Sequence, residues 1–445
     1  MDPTKLLKSR SYLALLVLGA VIGAPVATIA YFFLEAVGRV QTAIFTDLPG
    51  HLGFHGEPLW WPLPWLALSG ILVALAIRYL PGTGGHEPSA GFQAGGPVAP
   101  IDLFGVIAAA FATLSLGVVL GPEAPLIAIG SGLGVLAVHL VKRDAPAMAA
   151  VVIGGAGSFA AIATLLGNPL VGAFLLMEII GFGGPTMEMV LLPGLLAAGV
   201  GSLIFVGLND LTGFGNFSLI ISHIPHVGSP TAAEFLWAVV IGLGAAVLAA
   251  SIFRVARLIQ PVVALRRLML TPVVGLAVAG LAIAFAAGTG RSSSDVLFSG
   301  QTELPQLVQN AAGWTVGALV LLLVCKAVAY SISLSSFRGG PIFPAMFIGA
   351  ALGIVLSHLP GLPMIAGAAM GVGAMTAGAL KLPMTAVLLP SLLFASDAVA
   401  LMPVVIVAVV VAYVTAVWIS PASTNEPAPA AGTGTTTGQR AVSAD

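Results

Sequence analysis

Long apolar runs follow one another along the chain with almost no polar loops between them. They fall at about residues 12–34, 59–80, 101–120, 123–141, 146–166, 168–183, 187–207, 232–256, 269–287, 314–335, 341–357, 362–378, 382–396 and 398–419. A helix that is apolar on all sides belongs in a membrane or a large core. Several runs are shorter than the ~20 residues a straight crossing needs. Gly/Pro clusters separate them, and a helix broken at membrane depth is tolerated only where the break is buried or lines a cavity. The expected fold class is all-α: a multi-pass membrane protein with many tilted and broken helices.

Composition supports that reading and excludes others. Of 445 residues 58% are hydrophobic and 7% charged, against about 25% charged in a soluble domain. Lys+Arg total 16 and Asp+Glu 17, for a net charge of −1, which leaves no basic stripe for nucleic acid. The single cysteine, Cys325, rules out an intrachain disulfide and any multi-Cys metal site. Lys5, Lys8, Arg10, Lys142, Arg143, Arg254, Arg257, Arg266 and Arg267 form basic clusters, which the positive-inside rule places on the cytoplasmic face. Loops 45–58 and 208–230 carry no Lys or Arg and fit the outer face.

The most informative feature is a self-match. GPEAPLIAIGSGLG at 121–134 and GPIFPAMFIGAALG at 340–353 share seven of fourteen positions at a constant offset of 219. A weaker pair, NPLVGAFLL from Asn168 and LPMTAVLLP from Leu382, keeps the same order. The chain therefore divides into a cytoplasmic lead-in (1–11), a first transmembrane repeat (12–208), a connecting loop (209–231), a second repeat (232–419) and a polar, disordered tail (420–445). Paired Gly/Pro-interrupted segments at matching places in two halves mark a transporter binding site. Pro favours a helix start and Gly a close backbone approach. A helix N-terminus carries free N–H groups and about half a positive charge. Two such starts converging at mid-membrane hold an anion without a full positive charge. A third Gly-rich turn, LPGTGGHEPSAG at 80–91, adds the hydroxyl of Thr83.

In these motifs, over about residues 12–419, the chain resembles the CLC chloride channels and proton/chloride antiporters. Gly82-Thr83-Gly84-Gly85-His86 looks like the family's first selectivity element, Gly121-Pro122-Glu123-Ala124-Pro125 like its second, and Gly340-Pro341-Ile342-Phe343-Pro344 like its third. The resemblance implies two inverted structural repeats and a homodimer in the bilayer with one anion pathway per subunit. It implies that Glu123 is the gating glutamate and that Thr83 stands where the family has its central serine. The implied anion site comprises Thr83, Gly84, Gly121, Glu123, Ala124, Gly340, Ile342 and Phe343. Departures accompany it. Pro122 and Pro341 each remove a backbone donor. The antiporters' inner proton-transfer glutamate aligns with Ile179, leaving the adjacent Glu178 as a candidate inner proton route. The family's central tyrosine has no clear counterpart, Tyr413 falling several residues too early.

The expected function is selective transport of chloride or a similar small anion, either as a channel or in exchange for protons, across the plasma membrane (the inner membrane of a bacterium). Ionised Glu123 would occupy an anion position, and protonation or anion binding would displace it. Two alternatives stay open: proton-coupled antiport of another anion such as fluoride, and a degenerate, non-conducting membrane protein, which the two prolines motivate. No nucleophile–base pair points to an enzyme, and no cofactor is expected beyond the transported ion. His51, His55 and Glu57 read as a solvated loop, so no metal site is expected. Lys326 and Arg338 flank the third element, as a positive vestibule or as interface side chains that snorkel to water.

Overall fold

The computed structural model describes residues 9–92, 96–181, 185–214, 219–222 and 224–420. Lys5 and Lys8 of the lead-in, part of the 208–230 loop, and the tail beyond Ser420 lie outside the described residues. The chain is nearly all helix. The helices are α1 (Arg10–Thr42), α2 (Pro62–Tyr79), α3 (Leu103–Ser115), α4 (Glu123–Val141), α5 (Ala147–Leu166), α6 (Pro169–Ile180), α7 (Pro185–Thr212) and α8 (Ala232–Leu265). They continue as α9 (Arg267–Thr289), α10 (Glu303–Gln309), α11 (Val316–Ser336), α12 (Ile342–Leu356), α13 (Met364–Leu380), α14 (Pro383–Leu393) and α15 (Ala398–Ile419). Among the described residues nine helices are long and apolar enough to cross a membrane. The shorter α3, α6, α12, α13 and α14 complete the pattern of interrupted segments. The polar turn of α10 is a helix that the apolar pattern does not show.

The repeat is visible in how the helices pack. α4 crosses α5, and α12 crosses α13. Both crossings are made by the glycines of the self-match. A Cβ on Gly130 or Gly134 would strike the carbonyls of Gly157 or Ile153, and one on Gly349 or Gly353 those of Gly371 or Gly367. Four-residue spacing puts each pair on one helix face, and small residues there let backbones touch where no hydrophobic effect drives association.

The weaker repeat pair also has a structural meaning. Gly167 and Lys381, both at positive φ (61° and 58°), end α5 and α13 in the left-handed conformation. Each is followed two residues later by a proline at the first position of α6 or α14. Asn168 caps α6 with its own side chain, accepting from Leu170 N and Val171 N. Leu382 cannot cap α14. That task falls to Glu178 near the end of α6, whose carboxylate accepts from Met384 N at 2.6 Å, Thr385 N at 2.7 Å and Thr385 Oγ1 at 2.6 Å.

Candidate functional site

The starts of α4 and α12 meet at the centre of the molecule. Gly121 N donates to Gly340 O at 2.7 Å and Gly340 N to Gly121 O at 2.5 Å, an isolated antiparallel bridge between the repeats. The first intrahelical bonds are Leu126 N to Pro122 O and Ala345 N to Pro341 O. The N–H groups of Glu123, Ala124, Ile342 and Phe343 therefore stand outside the helical ladders. Pro122, Pro125, Pro341 and Pro344 supply none. Each helix start thus presents two amides, and the loss expected from the prolines is seen in the backbone.

Glu123, the first residue of α4, is fully buried. Its Oε1 accepts the N–H of Phe343 at 2.8 Å, across the repeat boundary. Its Oε2 has no hydrogen-bond partner among the described residues. The space the carboxylate fills exists because two residues lack side chains. A Cβ on Gly121 or Gly340 would collide with the carboxylate oxygens. Tyr330 of α11, also fully buried, donates its hydroxyl to Pro341 O at 2.9 Å and so braces the start of α12. Tyr413 lies away in α15, half-buried against the core. Tyr330 is the aromatic hydroxyl at this centre, and no motif in the sequence marks it.

Beneath the helix starts is a cavity of about 410 Å³ lined by Gly82, Gly84, Gly85, Asp102, Ala124 and Gly339, among others. It brings parts of the first two Gly-rich elements, and Gly339 just before the third, to one chamber. Thr83 is not among its lining residues. It sits at φ 48° with an exposed side chain, and its carbonyl accepts from Arg338 Nε at 3.3 Å. The turn thus offers the chamber its glycine backbone rather than the threonine hydroxyl.

Arg338 is buried, with its side chain 4% exposed, and its Nη2 donates to Glu87 Oε1 at 3.1 Å. Glu87 also accepts from Arg267 Nη2 at 3.0 Å and from Gln260 Nε2 at 2.9 Å. This network ties the 80–91 turn to the ends of α8 and α9, on the face that carries Arg266 and Arg267. Burial raises the carboxyl pKa of Glu87, but the two guanidiniums outweigh it and hold the group below the usual carboxylate range. Nothing in the turn's sequence marks Glu87 beyond its being a rare acid in this chain.

Lys326 is fully buried in α11. Its ammonium donates to the carbonyls of Asp295, Val296 and Leu297 at 3.0, 3.1 and 2.9 Å and lies 4.3 Å from the Phe347 ring centroid. Neither cation snorkels: both are internal clamps. Ile179 lines a second cavity of about 250 Å³, which shares Gly96, Pro97, Ile127 and Ser131 with the wall of the first. His51 and His55 are exposed, and Glu57 binds the hydroxyls of Ser293 at 2.6 Å and Ser292 at 3.4 Å.

Comparison with known proteins gives the family and the fold. The family model described as voltage gated chloride channel matches residues 65–417. The "Putative ion-transport protein YfeO" of Escherichia coli is 30% identical over 361 residues, covering 80% of this chain and 82% of the relative. The fold is similar to that of a slow cyanobacterial Cl−/H+ antiporter, with a TM-score of 0.67, 18% identity and coverage of 90% of this chain and 94% of that one. A CLC-type fluoride/proton antiporter gives a TM-score of 0.67 at 21% identity, covering 90% and 95%. The protein is therefore a multi-span membrane protein of the transporting kind, and the chain belongs to the voltage gated chloride channel family.

Proposed function

We propose that the chain carries a small monovalent anion, chloride first, and that the Glu123 carboxylate is its gate. The observation that carries this reading is the hydrogen bond from Phe343 N to Glu123 Oε1 at 2.8 Å. Backbone amides at a buried helix start are an anion site, and here a tethered carboxylate fills it. An anion and the carboxylate compete for the same amides. Protonation removes the charge that holds Glu123 there and frees the position. Protons thus promote anion passage, and a cycle in which the two alternate is exchange.

A second reading, passive conduction, is favoured by Ile179. It stands where the antiporters of the resembling family carry an inner proton-transfer glutamate, and among the described residues its cavity wall has no titratable group. Glu178 does not replace that glutamate in this reading, because its carboxylate is committed to the start of α14. The homodimer and the plasma-membrane location implied by the resemblance belong to the same proposal.

Purified protein in chloride-loaded liposomes tests it, with chloride efflux and external pH followed together. Proton movement driven uphill by the chloride gradient supports exchange. Efflux without proton movement supports conduction. Absence of flux for chloride, fluoride and nitrate alike overturns the proposal in favour of a non-conducting protein.

A further inference from the structure

Asp102 is a carboxylate in the wall of the chamber beneath the anion site. Its position invites a local role that it does not take. It is the N-cap of α3, where a carboxylate ordinarily accepts from the first amides, yet its side chain makes no capping hydrogen bond. No Lys or Arg pairs with it among the described residues. Gly82 holds it in place: a Cβ there would stand 2.5 Å from the Asp102 Cβ.

The other charges around the chamber are spoken for. Arg338 packs behind Gly84, but its fork is used on Glu87, Thr83 O and Phe337 O. Arg267 is likewise bound to Glu87. The His86 ring nitrogen Nε2 bonds the carbonyl of Gly91 at 2.7 Å. Glu123 lies just beyond Ala124 with its carboxylate turned to Phe343. Among the described lining residues Asp102 is left as the acid with no ion-pair partner, and its sign is that of the ion to be carried.

We propose that Asp102 is a charge-discriminating residue: it lowers anion occupancy of the chamber in proportion to the charge on the anion, and so excludes divalent anions. This rests on the anion-transport reading above. The physics is a single potential. A fixed charge that lowers occupancy by a factor f for a monovalent anion lowers it by f squared for a divalent one. The helix starts attract both, so a monovalent anion is still held. Repulsion by an unpaired acid is specificity by exclusion rather than by attraction.

The test compares wild type with Asp102→Asn and Asp102→Glu. Chloride and sulfate binding to purified protein are measured by titration calorimetry, and sulfate inhibition of chloride efflux is measured in liposomes. Asp102→Asn is expected to tighten chloride roughly threefold to tenfold and sulfate by the square of that factor, roughly tenfold to a hundredfold, for a charge acting across a partly screened cavity. Asp102→Glu keeps the wild-type ratio. Equal fold-changes for the two ions, or none, overturn the proposal, as does loss of proton movement in Asp102→Asn with unchanged sulfate inhibition. Binding with the expected ratio but no flux in wild type sinks the transport reading and leaves the charge discrimination standing.

Discussion

Glu123 Oε1 and the backbone amide of Phe343 meet at 2.8 Å although they belong to different repeats. One half of the molecule thus supplies the charge and the other the site it fills. Glu123→Gln and Glu123→Ala are expected to keep anion flux and lose its pH dependence. A one-proton gate changes flux by at most about tenfold per pH unit. Wild-type flux should rise as pH falls, while the variants stay within about twofold between pH 7.5 and 5. A pH profile unchanged in both variants would remove Glu123 from the gate.

Glu87 gives the protein an acid-sensitive tie. Its folded-state pKa lies below the ordinary value, because Arg267 and Arg338 outweigh its burial. The stability it contributes is therefore present above the usual carboxylate range and is lost as pH falls through the folded-state value. Thermal unfolding in detergent should show wild type losing stability on acidification below about pH 4.5. Glu87→Gln should be less stable at neutral pH and show a flatter acid limb. Parallel curves would contradict the pairing.

Lys326→Met keeps the length of the side chain and removes its charge. Three buried carbonyls then lose their donor, at about 1–3 kcal/mol for a buried polar group left unpaired. A loss of stability of about 3 kcal/mol or more is expected, read as early aggregation on heating in detergent. A neutral result would show that the 295–297 turn finds other donors.

At the helix crossings, Gly349→Ala and Gly353→Ala place a methyl against the carbonyls of Gly371 and Gly367. Overpacking of this kind costs about 1–3 kcal/mol. Gly244→Ala in α8 is the control, with nothing within 4 Å of the added atom. It should be neutral or stabilising by up to about 1 kcal/mol from helix propensity. Thermal unfolding in detergent ranks all three.

Glu178 should behave as a helix cap. Glu178→Ala leaves the first amides of α14 without an acceptor, at about 0.5–2 kcal/mol. Glu178→Gln retains an acceptor and should cost less. Neither should alter the number of protons moved per anion. A changed ratio in Glu178→Gln would restore it as an inner proton acceptor.

The parts of this architecture that are local in the chain could be read from it. The paired Gly/Pro starts, the offset of 219 and the carboxylate one residue past Pro122 all lie within short windows. The short helices follow from apolar runs too brief to cross. The residues that escaped are those whose meaning depends on distant partners. Tyr330 is one more aromatic in an apolar helix until Pro341 O is above it. Glu87 is a loop acid until Gln260, Arg267 and Arg338 converge on it. Thr83 shows the converse: its residue type suits an anion donor, but in the left-handed turn that it shares with Gly82 and Gly84 it does not line the chamber.

The paired hydrogen bonds between Gly121 and Gly340 have a kinetic consequence. They rivet the two halves together beside the Glu123 carboxylate, so the halves cannot rock past one another about that point without breaking the rivet. In the proposed reading, traffic is then controlled by the swing of the Glu123 side chain in a fixed frame. Such a device should work as well when the two halves are cross-linked at their outer rims, and its rate should respond to the polarity of the gate far more than to the thickness or stiffness of the surrounding bilayer.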